Sequence, residues 1–368
     1  MKYMDEFREG RLAAGIVAEI QRLVSGPVRI MEICGGHTHV IYKYGLHLLL
    51  PPEIELIHGP GCPVCVTPLE RVDVAIELAR KEGVILATFA DMIRVPGSRS
   101  SLQREKALGA DVRMVYSSLD ALSIARKHPD RQVVFFAIGF ETTAPTNAMA
   151  VLLAREQGLS NFSIFSNHVT VPPAVSALLA SPDTRLDAFI APGHVSLVTG
   201  SDIYRFMAER HGKQVVVSGF EPLDILQSIE MIVRQRKEGR VEVESQYRRA
   251  VTPQGNLKAQ AVVRQIMEPC DFRWRGLGNI AESGLRVRAE FAAFDAERVF
   301  DLPEPPALED PKACECGNIL RGVKSPQDCR VFGRGCTPER PIGSCMVSSE
   351  GACAAYYAYG QDRMELRP

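Results

Sequence analysis

The sequence predicts an α/β protein built on parallel sheet and closed by a cysteine-rich segment. Three observations predict it. Short apolar, β-branched runs alternate with helical periods, the pattern of strands joined by crossover helices. Each run ends in a turn rich in Gly, Pro or His. The ten cysteines are segregated: Cys34, Cys62 and Cys65 near the N-terminus, Cys270 alone, and six from Cys314 to Cys353, with none between residues 66 and 269. A chain of 368 residues is long enough for two or three domains with a substantial core.

Taken in order, residues 6–23 carry the charge mix and apolar spacing of an amphipathic helix, with Phe7, Leu12, Ile16, Ile20 and Leu23 on one face. Strands are predicted at 28–33, 54–57, 84–89, 112–116, 133–138, 162–165, 188–190 and 215–217. They fit one sheet of about eight strands, or two of about four with a break near 127–131. The quartets Ile138-Gly139-Phe140-Glu141 and Ser218-Gly219-Phe220-Glu221 echo each other after two of these strands, a hint of duplicated architecture. Residues 221–267 read as helical, and the Pro-rich stretch 302–311 as a linker or extended crossing segment. The expected divisions are 1–27, a helix packed on the C-terminal domain; 28–127 and 128–220, two α/β units; and 221–368, a helical linker with the cysteine-rich domain.

Composition narrows the function. Hydrophobic residues make up 46% and charged residues 24%, ordinary values for a globular protein. A formal net charge of −1 gives no electrostatic case for binding nucleic acid or an anionic membrane. No apolar run approaches the ~20 residues that span a bilayer, and the N-terminus is too charged for a signal peptide. The expected location is therefore the cytoplasm, where thiols serve metal or redox chemistry more often than structural disulfides.

The stretch 58–70, H-G-P-G-C-P-V-C-V-T-P-L-E, sets Cys62 and Cys65 on a Gly/Pro-fixed turn between a strand and a helix. Thr67 is the expected N-cap, Pro68 the first helical residue, and Glu70 the partner in a capping box. Helix amides and dipole at that position would lower a thiol pKa. The pair is open to three readings: a redox couple, half a metal site, or two buried thiols. The other strand ends carry C-G-G-H-T-H (Cys34, His37, His39), Asp91 and Arg94, G-F-E-T-T (Glu141, Thr142, Thr143), Asn167 and His168, and A-P-G-H-V-S (His194, Ser196). Singly these residues read as structural: Thr143 and Ser196 as helix caps, and His37, His39 and His47 as helix-face positions. Their convergence at strand ends, where parallel sheets bind ligands, points to function.

In the tail, Cys314, Cys316, Cys329, Cys336, Cys345 and Cys353 are separated by one, twelve, six, eight and seven residues. Thiolates suit zinc or an iron–sulfur cluster. The absence of two short C-x(2–4)-C knuckles favours the cluster, and ligand type alone leaves zinc open. A cubane takes only four thiolates, so two of the six need another role.

Through C-G-G-H-T-H, G-P-G-C-P-V-C, G-F-E-T-T, A-P-G-H-V-S and a tail pattern C-x14-C-x6-C-x16-C, the chain resembles the HypD family of NiFe-hydrogenase maturation proteins. The resemblance implies two similar small parallel-sheet α/β domains plus a C-terminal domain holding a 4Fe–4S cluster on Cys314, Cys329, Cys336 and Cys353, with Cys316 and Cys345 left as non-ligands. It implies a stable complex with HypC, transient contact with HypE as its complex with HypF, and a monomer otherwise. An iron held between Cys34 and a HypC cysteine would receive cyanide from HypE, and carbonyl, to become the Fe(CN)2CO group. Cys62 and Cys65 would be a thiol–disulfide couple exchanging electrons with the cluster, and His37, Glu141, Thr142, Thr143 and His194 would be cleft residues.

The expected chemistry follows. Low-spin iron bearing cyanide needs a soft anchor such as the Cys34 thiolate. Release of cyanide from a thiocyanate-type donor consumes two electrons, which a dithiol supplies, and His37 or Glu141 would manage protons or bind the cyanide nitrogens. The chain is thus expected to be an assembly scaffold with thiol–disulfide and iron–sulfur redox activity. Two rivals are a cluster-linked protein disulfide reductase using Cys62 and Cys65, which leaves Cys34 without a role, and a zinc-stabilised binding module with inert thiols.

Overall fold

The computed structural model describes residues 8–181 and 185–360. Among the described residues, eleven strands form two sheets. In chain order they are β1 (Val28–Glu32), β2 (Ile54–His58), β3 (Val84–Thr88), β4 (Val112–Met114), β5 (Gln132–Gly139), β6 (Phe162–Val169), β7 (Ala188–Pro192), β8 (Gln214–Ser218), β9 (Val243–Ser245), β10 (Met267–Trp274) and β11 (Gly278–Val287). Sheet one runs β2-β1-β7-β8-β9 and is parallel throughout. Sheet two runs β10-β11-β6-β5-β3-β4, parallel from β6 to β4, with the β10–β11 hairpin added antiparallel on β6.

All eight strands predicted from apolar runs are present. Their distribution corrects two expectations. The sheets do not part near 127–131, and membership does not follow the segments 28–127 and 128–220. The chain begins sheet one with β1 and β2, builds β3–β6 of sheet two, returns for β7–β9, and finally adds β10 and β11 to sheet two. Within each sheet the first four strands nonetheless take the same relative order, second-first-third-fourth. The repeated order is carried by interleaved segments, and the two G-F-E turns do not mark equivalent places in it: one follows β5, the third strand of its sheet, and the other β8, the fourth. Both sheets thus have a topological switch point, between β1 and β7 and between β3 and β5, where loops diverge and leave a crevice.

The inner strands β1, β3, β5, β6, β7 and β8 are buried on both faces, as parallel sheets require. Along β5, Val133, Phe135 and Ala137 enter a core on the outer side of sheet two, while Val134, Phe136 and Ile138 enter a central core. That central core also holds Met31 and Ile57 of sheet one and, from the tail, Cys316, Ile319, Leu320, Cys345 and Met346. The two sheets and the tail therefore share one hydrophobic interior.

The N-terminal helix is Gly10–Leu23; residues 6 and 7 of the expected helix lie outside the described residues, as do 361–368 of the last division. Ile20 and Leu23 pack with Ile225, Ile229 and Val233 of the helix Pro222–Lys237 in the outer core of sheet one. The expected packing on the cysteine-rich domain is not found, because the apolar stripe of this helix matches the exposed flank of that sheet. The region read as helical at 221–267 is a helix, the short β9 and a second helix, Leu257–Ile266. The segment 302–311 has no regular structure and crosses the surface, where Leu308 N–H donates to Glu70. Among the described residues, no helix is long and apolar enough to cross a membrane.

Phe136 is fully buried and stacks in tilted geometry on Phe165, centroids 5.5 Å apart. Truncation to Ala is expected to cost about 3–5 kcal/mol, measured as a lower denaturant midpoint with unchanged slope.

Candidate functional site

The site is built at the switch point of sheet one. Because β1 and β7 are neighbours, Cys34, just after β1, meets His194, in the first turn after β7. The Cys34 Sγ lies 3.7 Å from His194 Nδ1 and 3.9 Å from Nε2. Behind it stands Glu32, a fully buried carboxylate at the end of β1. Glu32 accepts the Cys34 N–H at 2.9 Å, the Thr38 hydroxyl, and His58 Nδ1 at 2.7 Å, and His58 Nε2 pairs with the Tyr42 hydroxyl at 2.7 Å. The turns after β1 and β2 also cross in direct contact. A Cβ on Gly61 would overlap the backbone N and Cα of Cys34, so only glycine fits there. The Gly35 N–H donates to Gly61 O at 3.1 Å.

His37 is buried in the first turn of the helix Gly35–Tyr44. Its Nε2 donates to Gly219 O at 3.0 Å, which leaves Nδ1 as an acceptor, and that atom has no partner. The Phe220 ring lies against both imidazoles, 4.8 Å from His37 and 5.0 Å from His194. Burial lowers His37 to about 3 and His194 to about 4, so both rings are neutral at physiological pH. Cys34 is pushed well above its ordinary value by burial, and further by Glu350 and Glu32. A soft metal replacing the thiol proton would remove that penalty.

Cys62 and Cys65 occupy a four-residue helical turn, Pro63–Val66, entered from Cys62. Their sulfurs are 2.7 Å apart and both are buried, so a disulfide would need only a small side-chain movement. The expected low thiol pKa is corrected for Cys65, which is held well above its ordinary value by burial, then by Cys345 and Cys62. A single helical turn is too weak a dipole to offset full desolvation. The expected capping box is absent too. Thr67 Oγ1 donates back to Pro63 O at 2.8 Å, Pro68 holds the N-cap position of the helix Leu69–Arg80, and Glu70 faces Leu308 and Arg273. Thr143 stands at an N-cap without a side-chain cap bond, and Ser196 lies inside the helix Gly193–Thr199, donating to Pro192 O.

The second switch point opens on the same space. A cleft of about 550 Å³ is lined by Gly61 and Val64 beside the dithiol, by His194, by Phe89 and Asp91 after β3, by Gly139, Thr142 and Thr143 after β5, and by Ser348–Glu350 of the tail. The cleft is where the sheets and the tail converge. Glu350 sits at its mouth, packed on Gly35, with its carboxyl raised by desolvation and by Asp91 and Glu32.

The family model described as "HypD: Hydrogenase formation hypA family" matches residues 11–360. The chain is similar to the "Hydrogenase maturation factor HypD" of Azotobacter vinelandii, 56% identical over 377 residues, covering 100% of this chain and 99% of the relative. It is similar to that of Rhizobium leguminosarum bv. viciae, 56% identical over 378 residues with 100% and 98% covered, and to that of Escherichia coli K12, 46% identical over 375 residues with 99% and 100% covered. This chain belongs to the HypD family.

Of the residues expected in a HypD cleft, the structure brings Cys34, His37 and His194 together around Phe220, sets Cys62 and Cys65 beside them, and places Thr142 and Thr143 on the opposite wall. Glu141 is elsewhere. It is buried with one oxygen accepting the Val171 N–H at 2.9 Å and the other unpartnered, and it borders a separate cavity of about 130 Å³ with Val198, Gln260 and Arg264. In the tail, Cys314, Cys336 and Cys353 each interact with Cys316, and Cys329 is buried ahead of the loop carrying Cys336. Among the described residues no three His, Cys, Asp or Glu side chains converge on a single ion. The donor set still fits a cluster: soft thiolates, an Ile342 N–H donating to Cys336 Sγ at 3.3 Å, and a glycine, Gly343, whose Cβ would collide with Cys314 Sγ.

Two carboxylates, and the roles of two cysteines, escaped the sequence reading. Glu32 was hidden as a charge inside an apolar strand; its place next to Cys34 was the available signal. Glu350 had none. Cys316 and Cys345 were set aside as spare, yet Cys345 bridges the two cysteine sites. It interacts with Cys316 and Cys65, which lower it to about 6, and Ser344 Oγ donates to Cys65 O at 3.0 Å.

Two outcomes are expected. Gly61→Ala should cost about 1–3 kcal/mol through backbone overlap and speed alkylation of Cys34, followed by mass spectrometry of the labelled peptide. Glu141 is raised from 4.5 to about 7 by burial, so the fold favours its neutral form and that contribution is lost as pH rises from about 4.5 through about 7. Glu141→Gln should flatten this pH dependence of thermal stability, with a relative gain of roughly 3 kcal/mol above pH 7.

Proposed function

We propose that this chain acts in hydrogenase maturation as a redox-active scaffold, holding an iron on Cys34 while cyanide and carbonyl ligands are attached to it. The observation that carries the proposal is the Cys34 pocket. A buried thiol faces, across 3.7 Å, the neutral imidazole of His194, which lines a cleft that a second protein can close. HypC would supply the second thiolate of the iron, and HypE, with HypF, would present the cyanide donor at the cleft.

This chain's residues divide the work. Cys34 gives up its proton and binds the iron, and Glu32 fixes its backbone. His37 and His194, kept neutral by burial, offer unprotonated or singly protonated nitrogens beside the nascent ligands without repelling the metal. Cleavage of a thiocyanate-type S–C bond takes two electrons. Cys62 and Cys65 provide them as their thiols close to a disulfide, one proton going to the departing sulfur and the other released as cyanide binds iron.

Recharging runs through Cys345. Cys345, whose thiol pKa is lowered by its contacts with Cys316 and Cys65, attacks Cys65 of the disulfide, freeing Cys62 as a thiol. Cys316 then displaces Cys65, so that Cys62 and Cys65 are reduced and Cys316 and Cys345 oxidised. Cys314, Cys329, Cys336 and Cys353 would hold a 4Fe–4S cluster, which when bound supplies single electrons to this neighbourhood.

The deciding experiment is infrared spectroscopy of the complex purified with HypC. Cyanide and carbonyl stretches are expected with the parent chain and absent with Cys34→Ala, and bands persisting in the variant would remove Cys34 as the anchor. A generic disulfide reductase would instead turn over disulfides independently of Cys34.

A further inference from the structure

Arg275 lies in the tight turn between β10 and β11 and is 3% exposed. Its backbone N–H donates to Val66 O at 2.8 Å, one residue beyond Cys65. Its Nε donates to Asp310 at 2.6 Å. The two remaining nitrogens, Nη1 and Nη2, are buried and have no hydrogen-bond partner. A guanidinium has five donors in a rigid fork, and a buried charge with most of its donors unanswered is costly unless an acceptor belongs there.

The neighbourhood says what that acceptor is. The Arg275 turn presses on the tail so closely that a Cβ on Gly276 would overlap the Cα of Gly317, the residue after Cys316. The charge interacts with Asp310 and with the sulfurs of Cys316, Cys314 and Cys345. Asp310 is a single carboxylate, engaged through Nε, and leaves Nη1 and Nη2 for another acceptor.

We propose that Arg275 is the charge-compensating residue of the iron–sulfur site, donating through Nη1 and Nη2 to its sulfur atoms. The proposal rests on the reading that Cys314, Cys329, Cys336 and Cys353 hold a 4Fe–4S cluster. A cubane with four thiolates carries net negative charge, and one-electron reduction adds another. A fixed cation in a dry pocket stabilises the reduced form most, and hydrogen bonds to sulfur act in the same direction. Arg275 would therefore raise the reduction potential of the cluster, with Asp310 holding part of that effect back. Arginine rather than lysine suits the place, because its planar fork keeps two nitrogens free to donate while Nε holds Asp310.

The test uses the full chain purified without oxygen, with iron content and the midpoint potential from an EPR-monitored redox titration as readouts. Arg275→Met should keep about four irons per chain and shift the potential to more negative values, with Arg275→Lys between it and the parent. Asp310→Asn should shift it the opposite way. Potentials equal to the parent in all three, or shifts of the same sign for Arg275→Met and Asp310→Asn, overturn the proposal. If Arg275→Met does not retain iron, the lysine and asparagine variants decide by the same signs. A parent chain without a cluster would refute the cluster reading itself, and the proposal with it.

Discussion

A single buried carboxylate organises the reactive end of this molecule. Glu32 has no exposure, yet three donors from three segments converge on it: the Cys34 amide, the Thr38 hydroxyl and the His58 imidazole. A charge can stay in such a place only when its lone pairs are answered, and each answer fixes an element. The Cys34 amide sets the turn after β1, Thr38 the pitch of the following helix, and His58 the end of β2. Glycine at position 61 then lets the second turn lie directly on the first. Burial raises Glu32, with His58, Thr38 and the Cys34 amide pulling the other way, the expected balance for a carboxylate stabilised by hydrogen bonds rather than by water.

The two α/β units meet through their switch points, and the tail fills the seam. This explains why the cysteine-rich segment can be short of apolar residues and still be ordered. It borrows the central core, into which it contributes Ile319, Leu320, Met346 and five of its cysteines. The same arrangement puts Cys345 against Cys65 although 280 positions separate them in the sequence. Distance along the chain is no barrier once both lie in one interior.

Much of the fold was legible. Strands β1–β8 showed because parallel strands buried on both faces read as continuous β-branched runs. The hairpin β10–β11 did not, because it mixes Pro269, Asp271 and Arg273 with apolar residues and relies on β6 for its register. Sheet membership was not legible either, since pairing order leaves no mark in local pattern. At the site, the cysteine and histidine motifs announced themselves, and the carboxylates did not. Glu141 sat in the G-F-E-T-T motif, yet it borders a separate cavity rather than the cleft. Glu32, Glu350 and Arg275 carried none, because their roles come from what folding brings next to them.

The interleaved order of the sheets has a consequence for synthesis on the ribosome. β3–β6 are consecutive, so their part of sheet two can pair as soon as it emerges. Sheet one cannot, since β1 and β2 must wait more than a hundred residues for β7. Until then Cys34 has no His194 beside it and the thiol faces solvent. The pocket closes only late in translation, and Ser348–Glu350 of the tail, which line the cleft, arrive later still. A nascent chain therefore cannot present this thiol in its finished geometry, and the site is assembled only after β7 has joined its sheet.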